Sequence, residues 1–110
     1  MQILSDIQRF WDADAATYDR SSSHHPSTAL VRAAWARTLE RLLPPPLSGV
    51  LDVGAGTGFL SLLAAGLGHR VTALDLSGQM LDRLRVKAGA QELDIETVEA
   101  TADQPPRRWL

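Results

Sequence analysis

Apolar and polar residues in the first part of the chain recur at helical spacing. Ile3, Ile7, Phe10 and Trp11 predict an amphipathic N-terminal helix, which residues 12–20 continue as a short helix or turn. A second helical pattern, with Ser27 as a suitable cap, ends before the run Pro44-Pro45-Pro46, because proline cannot continue a helix. This second helix is expected to turn one apolar face inward, formed by Leu30, Val31, Ala34, Trp35, Leu39, Leu42 and Leu43.

After the prolines the pattern changes to short apolar runs that alternate with helical segments. The runs at 50–53, 70–74 and 93–99 predict three strands. Between the first two strands a helix is predicted from about Thr57 to near Gly66 and Gly68, with an apolar stripe of Leu60, Leu63, Ala64 and Leu67. Between the last two, a helix capped by Ser77 and closed at Gly89 should bury Met80, Leu81, Leu84 and Ala88.

The order β-α-β-α-β predicts a parallel sheet with right-handed crossovers and strand order 3-2-1. A ligand should bind beyond the carboxyl ends of these strands. The tail from residue 100 onward contains Pro105 and Pro106 and cannot form a central strand. The N-terminal helices would have no core of their own, so we expect a single domain, with helices in 1–43 and a βαβαβ core in 49–100.

The candidate chemistry lies where the first two strands end. The first strand enters a turn with Gly54, Gly56 and Gly58, whose lack of a Cβ lets a ligand approach main-chain N–H groups. The free N–H groups at the start of the following helix should face the same point. Asp75 follows the second strand about 20 residues after the first glycine, where a nucleoside ribose is held through its hydroxyls. A dinucleotide fingerprint would place its third glycine at position 59, which is Phe59.

These residues resemble motif I of the class I S-adenosylmethionine-dependent methyltransferases, acid-x-Gly-x-Gly-x-Gly, with Asp52 as the acid. The segment from Asp75 to Leu81 is similar to the family's Asp-x-Ser-x-x-Met-Leu. Phe10-Trp11-Asp12 and Tyr18-Asp19 resemble the opening segment of small-molecule methyltransferases such as those of quinone biosynthesis. The resemblance implies a Rossmann-like three-layer αβα fold, S-adenosylmethionine as cofactor, S-adenosylhomocysteine as product and a small-molecule methyl acceptor.

The resemblance also implies roles for individual residues. Gly54, Ala55 and Gly56 would contact the methionine part of the cofactor, and Asp75 the two ribose hydroxyls. Asp52 would accept from the cofactor's amino group or, as we favour, fix the glycine turn. Leu76 and Met80 would sandwich the adenine or simply belong to the core. Tyr18 would cover the methionine end or pack at a helix end.

Two parts of the family pattern have no clear counterpart. Thr101 stands where family members often carry an acid for the adenine amino group, and the nearest match is Ala102-Asp103. No residue is a convincing general base, so the catalytic residues stay unassigned. The family's sheet has more strands than the three predicted here, and we therefore expect the chain to be the cofactor-binding half of the fold.

Composition narrows the partners and the compartment. The net charge of −2 argues against a large nucleic-acid footprint. The sequence has no apolar run long enough for a bilayer, no signal-peptide pattern and no cysteine, so a cytoplasmic protein without disulfides or thiolate metal sites is expected. We interpret His24-His25 as a solvated loop, because metal-binding pairs on helices are usually four residues apart.

Three hypotheses remain open. In the first, the chain is half of a methyltransferase that forms a homodimer through its exposed first strand or its bare apolar faces. In the second, it is a fragment of a nicotinamide-dependent oxidoreductase, which Phe59 and Asp52 disfavour. In the third, it is a non-catalytic interaction module built on a nucleoside-type fold.

Overall fold

The computed structural model describes residues 2–18 and 29–109. These form helices α1 (Gln2–Tyr18), α2 (Ala29–Leu42), α3 (Phe59–Gly66) and α4 (Gly78–Ala90), strands β1 (Gly49–Val53), β2 (Arg70–Asp75) and β3 (Ile95–Glu99), and a short 3₁₀ helix (Arg107–Trp109).

The three strands form one parallel sheet with β2 in the middle. Val50 of β1 pairs with Val71 of β2, which pairs with Ile95 of β3. The order β1-β2-β3 is the predicted order 3-2-1 read from the other edge. The predicted α/β fold with a parallel sheet is therefore confirmed.

The core lies between the sheet and helices α3 and α4. Because both crossovers run in the same direction across the sheet, both helices lie on the same face. Their buried side chains form one cluster with Ala73 of β2: Leu62, Leu81, Leu84 and Ala88. α1 packs against α4, and α2 against α3. Of the three layers of the family fold, the described residues show the sheet and the helical layer on one face.

Helix α4 confirms its predicted inward face, since Met80, Leu81, Leu84 and Ala88 are all buried. Ser77 caps it by accepting a hydrogen bond from the amide of Met80, as predicted. The predicted end at Gly89 is wrong by two residues, because Gln91 takes the C-cap position.

The predicted inward face of α2 is wrong, and in the predicted stripe of α3 only Ala64 is buried. α2 has no buried residue, and Leu30 and Leu42 are 77% and 71% exposed, because in the described residues this helix packs along one side only, against α3. In α3 the residues facing the core are Ser61, Leu62 and Ala64, whereas Leu60 is exposed.

None of the helices in the described ranges is both long and apolar enough to cross a membrane. His24, His25 and the predicted cap Ser27 lie outside those ranges.

Candidate functional site

The glycine turn after β1 has two positions at which a side chain would change the site. Gly54 has φ +72°, and a Cβ built on it meets no atom within 4 Å, so its Cα borders open space. Gly58 has φ +96°, and its Cβ would lie 2.4 Å from Cγ of Leu84 in α4. The first glycine therefore allows close approach from outside, whereas the third lets α4 pack against the start of α3.

The N–H groups of Gly54, Ala55 and Gly56 in this turn all have acceptors within the protein. The amides of Gly54 and Ala55 both donate to the carbonyl of Leu74, over 2.8 and 3.0 Å. The amide of Gly56 donates to Oδ2 of Asp75 over 2.8 Å. The end of β2 thus supplies the acceptors for all three amides.

Asp75 ends β2 and is nearly buried, with 9% of its surface exposed. Its Oδ1 accepts from the amide of Ser77 over 2.8 Å, and its Oδ2 from Gly56. Each carboxylate oxygen has two acceptor positions, so one on each oxygen is left after these bonds. The carboxylate is thus held rigidly and still has capacity for two hydroxyl donors.

A cavity of about 200 Å³ opens beside Asp75 and is lined by Trp11, Gly54, Gly56, Asp75 and Met80. Trp11 comes from α1, more than forty residues before the turn. Trp11 belongs to the family's opening segment, but its place in the site was not predicted from the sequence. The one feature of the sequence that could have indicated this role is the position of Trp11 in the motif Phe10-Trp11-Asp12.

Asp12 explains how α1 reaches this place. Its Oδ1 accepts from the hydroxyl of Ser77 and from the amide of Gln79, the latter over 3.3 Å. A carboxylate at the first turn of α4 is stabilised by the unpaired amides and the dipole of that helix. One turn earlier in α1, Nε2 of Gln8 donates to Oε1 of Glu99 at the end of β3 over 2.8 Å.

Asp52 lies in β1 behind the glycine turn, and the hydroxyl of Ser61 in α3 donates to its Oδ2 over 2.7 Å. Burial raises the pKa of this carboxyl, and the nearby charge of Asp75 raises it further, against the hydrogen bonds from Ser61 that lower it. Asp52 and Gly54 also line a second cavity of about 180 Å³, with Ala55, Thr57, Gly58, Phe59 and Leu60. Two carboxylates therefore face the same short stretch of backbone.

The structure thus brings six of the predicted site residues around two cavities that share Gly54: Asp52, Gly54, Ala55, Gly56, Asp75 and Met80. Leu76 is partly buried and lines neither cavity. Ala102 and Asp103 are exposed in the turn after β3 and also line neither. The side chain of Tyr18 lies outside the described part of the structure.

The fold and the site define an α/β domain with a ligand site at the carboxyl ends of β1 and β2, in which a rigid carboxylate follows the second strand. Comparison with known proteins makes this more specific. A family model described as "Methyltransferase domain" matches residues 50–108, and the chain belongs to this family. The predicted family, the class I S-adenosylmethionine-dependent methyltransferases, and with it the class of cofactor, is confirmed.

Similar proteins include two curated bacterial methyltransferases. The malonyl-[acyl-carrier protein] O-methyltransferase of Erwinia pyrifoliae is 40% identical over 79 residues, 71% of this chain and 30% of that protein. The ribosomal protein L11 methyltransferase of Symbiobacterium thermophilum is 40% identical over 81 residues, 73% of this chain and 25% of that protein. The chain therefore spans less than a third of the length of either relative.

Among solved structures, the chain is similar to DhpI in complex with S-adenosylhomocysteine. The identity is 31% and the TM-score 0.65, over 94% of this chain and 48% of that chain.

Proposed function

We propose that this chain is the cofactor-binding part of an S-adenosylmethionine-dependent methyltransferase that acts on a small molecule. The observation that carries the proposal is Asp75. Its carboxylate is fixed by the amides of Gly56 and Ser77, keeps one acceptor position on each oxygen, and borders a cavity beside the open Cα of Gly54. Two adjacent ribose hydroxyls are the donor pair that such a carboxylate fits.

The two cavities that share Gly54 are proposed to hold the two ends of the cofactor. The nucleoside end would lie beside Asp75, between Met80 and the glycine turn. The methionine end would lie on the side of Asp52, where the backbone of Gly54 and Ala55 borders the second cavity. The carboxylates suit a ligand that carries a positive sulfonium and an ammonium group, and they disfavour a pyrophosphate.

The remaining site predictions stay part of this proposal. Leu76 is proposed to sandwich the adenine together with Met80, and Tyr18 to cover the methionine end. Ala102 and Asp103 are proposed to approach the adenine amino group, which requires the exposed turn after β3 to fold towards the cavity.

When bound, S-adenosylmethionine supplies a methyl group already activated on its sulfonium sulfur. The residues of this chain then bind the cofactor and orient it. Asp75 fixes the ribose, and the glycine turn lets the ligand approach the backbone. For Asp52 the favoured role is to fix the glycine turn, and the alternative is to accept from the positive amino group. Methyl transfer depends mostly on placing the acceptor in line with the methyl group, so positioning is the main contribution that this part makes.

The proposed acceptor is a small molecule. The relatives named above act on malonyl-[acyl-carrier protein] and on a ribosomal protein, according to their names, so a protein-bound acceptor is the alternative.

We also propose that residues 1–110 form one partial domain, with helices in 1–43 and a βαβαβ core in 49–100. The chain covers less than a third of each relative, which supports a partial domain.

Isothermal titration of the 110-residue chain with S-adenosylhomocysteine and, separately, with NAD tests the proposal. We expect binding of S-adenosylhomocysteine at one site and no heat from NAD. Binding of NAD alone would indicate the nicotinamide-dependent alternative, and binding of neither would favour an interaction module.

A homodimer is the proposed state of the isolated chain. β1 lies at the edge of the described sheet, Val53 at its end is 50% exposed, and Phe10 and Trp35 on the helices are 63% and 42% exposed. Unpaired strand edges and exposed apolar side chains favour association with a second copy. Sedimentation at micromolar concentration should show a dimer, and a monomer of 12.0 kDa would contradict it.

The proposed cytoplasmic location and the proposed lack of a nucleic-acid partner rest on composition. Cell fractionation tests the location, and a filter-binding assay tests nucleic-acid binding.

A further inference from the structure

The contact between α1 and α4 is connected to the proposed cofactor site by a continuous series of hydrogen bonds. Asp12 accepts from the hydroxyl of Ser77, and the amide of Ser77 donates to Oδ1 of Asp75. Oδ2 of Asp75 in turn accepts from the amide of Gly56. Ser77 is fully buried and Asp75 nearly so, and hydrogen bonds in such surroundings hold their partners in one arrangement.

Asp12 adds to a helix terminus that already has a cap. The hydroxyl of Ser77 accepts from the amide of Met80 over 3.2 Å, which is the ordinary capping bond. That hydroxyl donates its proton to Asp12, so the orientation of the cap is fixed from α1. The adjacent residue on α1 is Trp11, whose side chain lines the cavity beside Asp75 and Met80.

We propose that Asp12 is a positioning residue of the cofactor site, which holds Ser77 and Asp75 in place and seats Trp11 as a wall of the nucleoside cavity. The inference rests on the proposed function for the identity of the ligand. Trp11 offers a flat aromatic surface to the base, an interaction that nucleotide-binding proteins use widely. The site is thus built from both the glycine turn and the N-terminal helix.

The test follows Trp11 directly. The chain has three tryptophans, so labelling with 5-fluorotryptophan gives three ¹⁹F resonances, and Trp11→Phe identifies one of them. In Asp12→Ala we expect the Trp11 resonance to move without any ligand, and the dissociation constant for S-adenosylhomocysteine to rise about tenfold, as expected for loss of a hydrogen bond to a charged group. The resonances of Trp35 and Trp109 should stay in place.

Asp6→Ala is the matched control, because it removes an aspartate from the same helix. Asp6 forms an exposed ion pair with Arg9, and the two side chains are 54% and 68% exposed. This variant should leave the Trp11 resonance and the affinity unchanged. Asp12→Asn keeps an acceptor oxygen for Ser77 and should recover most of the affinity. If the negative charge of Asp12 were what mattered, Asp12→Asn would bind as weakly as Asp12→Ala.

Two results would overturn the positioning role: an unchanged Trp11 resonance in Asp12→Ala, or an affinity equal to that of Asp6→Ala. If Asp12→Ala does not fold, Asp12→Glu, which displaces the carboxylate by one methylene group, is read in the same way. Failure of the unaltered chain to bind S-adenosylhomocysteine would overturn the proposed function instead. In that case the role of Asp12 is tested without ligand: a shifted Trp11 resonance in Asp12→Ala would support it, and an unchanged resonance would overturn it.

Discussion

The amide of Gly56 donates to Oδ2 of Asp75 over 2.8 Å, which fastens the glycine turn after β1 to the tip of β2. The two residues are 19 apart in the chain and meet because neighbouring parallel strands end at the same edge of the sheet. Asp75 therefore shapes the turn as well as facing the cavity. Substitutions here must separate an effect on folding from an effect on the ligand.

Asp75→Ala is expected to weaken binding of S-adenosylhomocysteine by roughly 10- to 100-fold, because a hydrogen bond to a charged group contributes about 1.5–3 kcal/mol. The free energy of unfolding should also fall, by about 1–3 kcal/mol, since the amides of Gly56 and Ser77 lose their acceptor. Calorimetric titration and urea unfolding measure the two effects.

Asp82→Ala is the control for that experiment. Asp82 pairs with Arg85 on the exposed side of α4, and such surface pairs contribute about 0–1 kcal/mol. A folded Asp75→Ala protein with the affinity of Asp82→Ala would assign Asp75 to structure alone.

Gly54→Asn tests the open position of the turn. Asparagine adopts positive φ more readily than most residues, so the chain should fold, but the new side chain would extend into the space from which the ligand approaches. We expect S-adenosylhomocysteine binding to be lost while the thermal transition is retained. Gly68→Asn, at φ +98° outside both cavities, should bind normally. Equal affinities for the two variants would remove Gly54 from the site.

Gly58→Ala should destabilise the fold. The added Cβ would lie 2.4 Å from Cγ of Leu84 at φ +96°, and overpacking together with left-handed strain costs about 2–4 kcal/mol. Gly89→Ala adds the same methyl group in α4, where no atom lies within 4 Å, and should stabilise by about 0.5–1 kcal/mol. Urea unfolding of the pair checks the prediction, which a tolerated Gly58→Ala would contradict.

Asp52 should make stability depend on pH in a defined direction. Its pKa is raised in the folded state, so the folded chain binds the proton more tightly than the unfolded chain does. Its contribution to the free energy of unfolding is then largest below the unfolded value of 3.8 and decreases as the pH rises through the raised pKa. Asp52→Asn, which keeps an acceptor for Ser61, should lose this dependence.

The measurement is the difference in unfolding free energy between the parent chain and Asp52→Asn at several pH values from 4 upward. We expect the parent to lose stability relative to the variant as the pH rises. A difference that is constant with pH would mean that Asp52 titrates alike in both states.

The sequence predicted best those elements whose burial is determined locally. The strands, their order and the inward face of α4 followed from period and capping, because each element packs against its neighbours in the chain. The face of α2 did not follow, since a helical pattern cannot tell whether a partner covers Leu30 and Leu42. The stripe of α3 was predicted correctly only at Ala64, because nearly every residue from 59 to 65 is apolar and only packing against the sheet selects Leu62.

The sequence identified several residues of the site but not the hydrogen bonds between them. Asp75 and Gly54 could be identified from spacing. The engagement of the turn amides by Leu74 and Asp75 could not, because it depends on how two strand ends meet. Trp11 and Asp12 reach the site from more than forty residues away, a contact that no local period encodes.

Each strand of this sheet pairs with the strand that follows it in the chain, and the residues lining the nucleoside cavity lie between positions 11 and 80. During synthesis the chain emerges from the ribosome in the same order. We therefore expect the walls of the cavity to form as soon as β3 has emerged to complete the pairing of β2, so that only Ala102 and Asp103 would still have to approach it. A cofactor present in the cell would then meet these walls on a nascent chain, and its binding would stabilise that chain while synthesis continues.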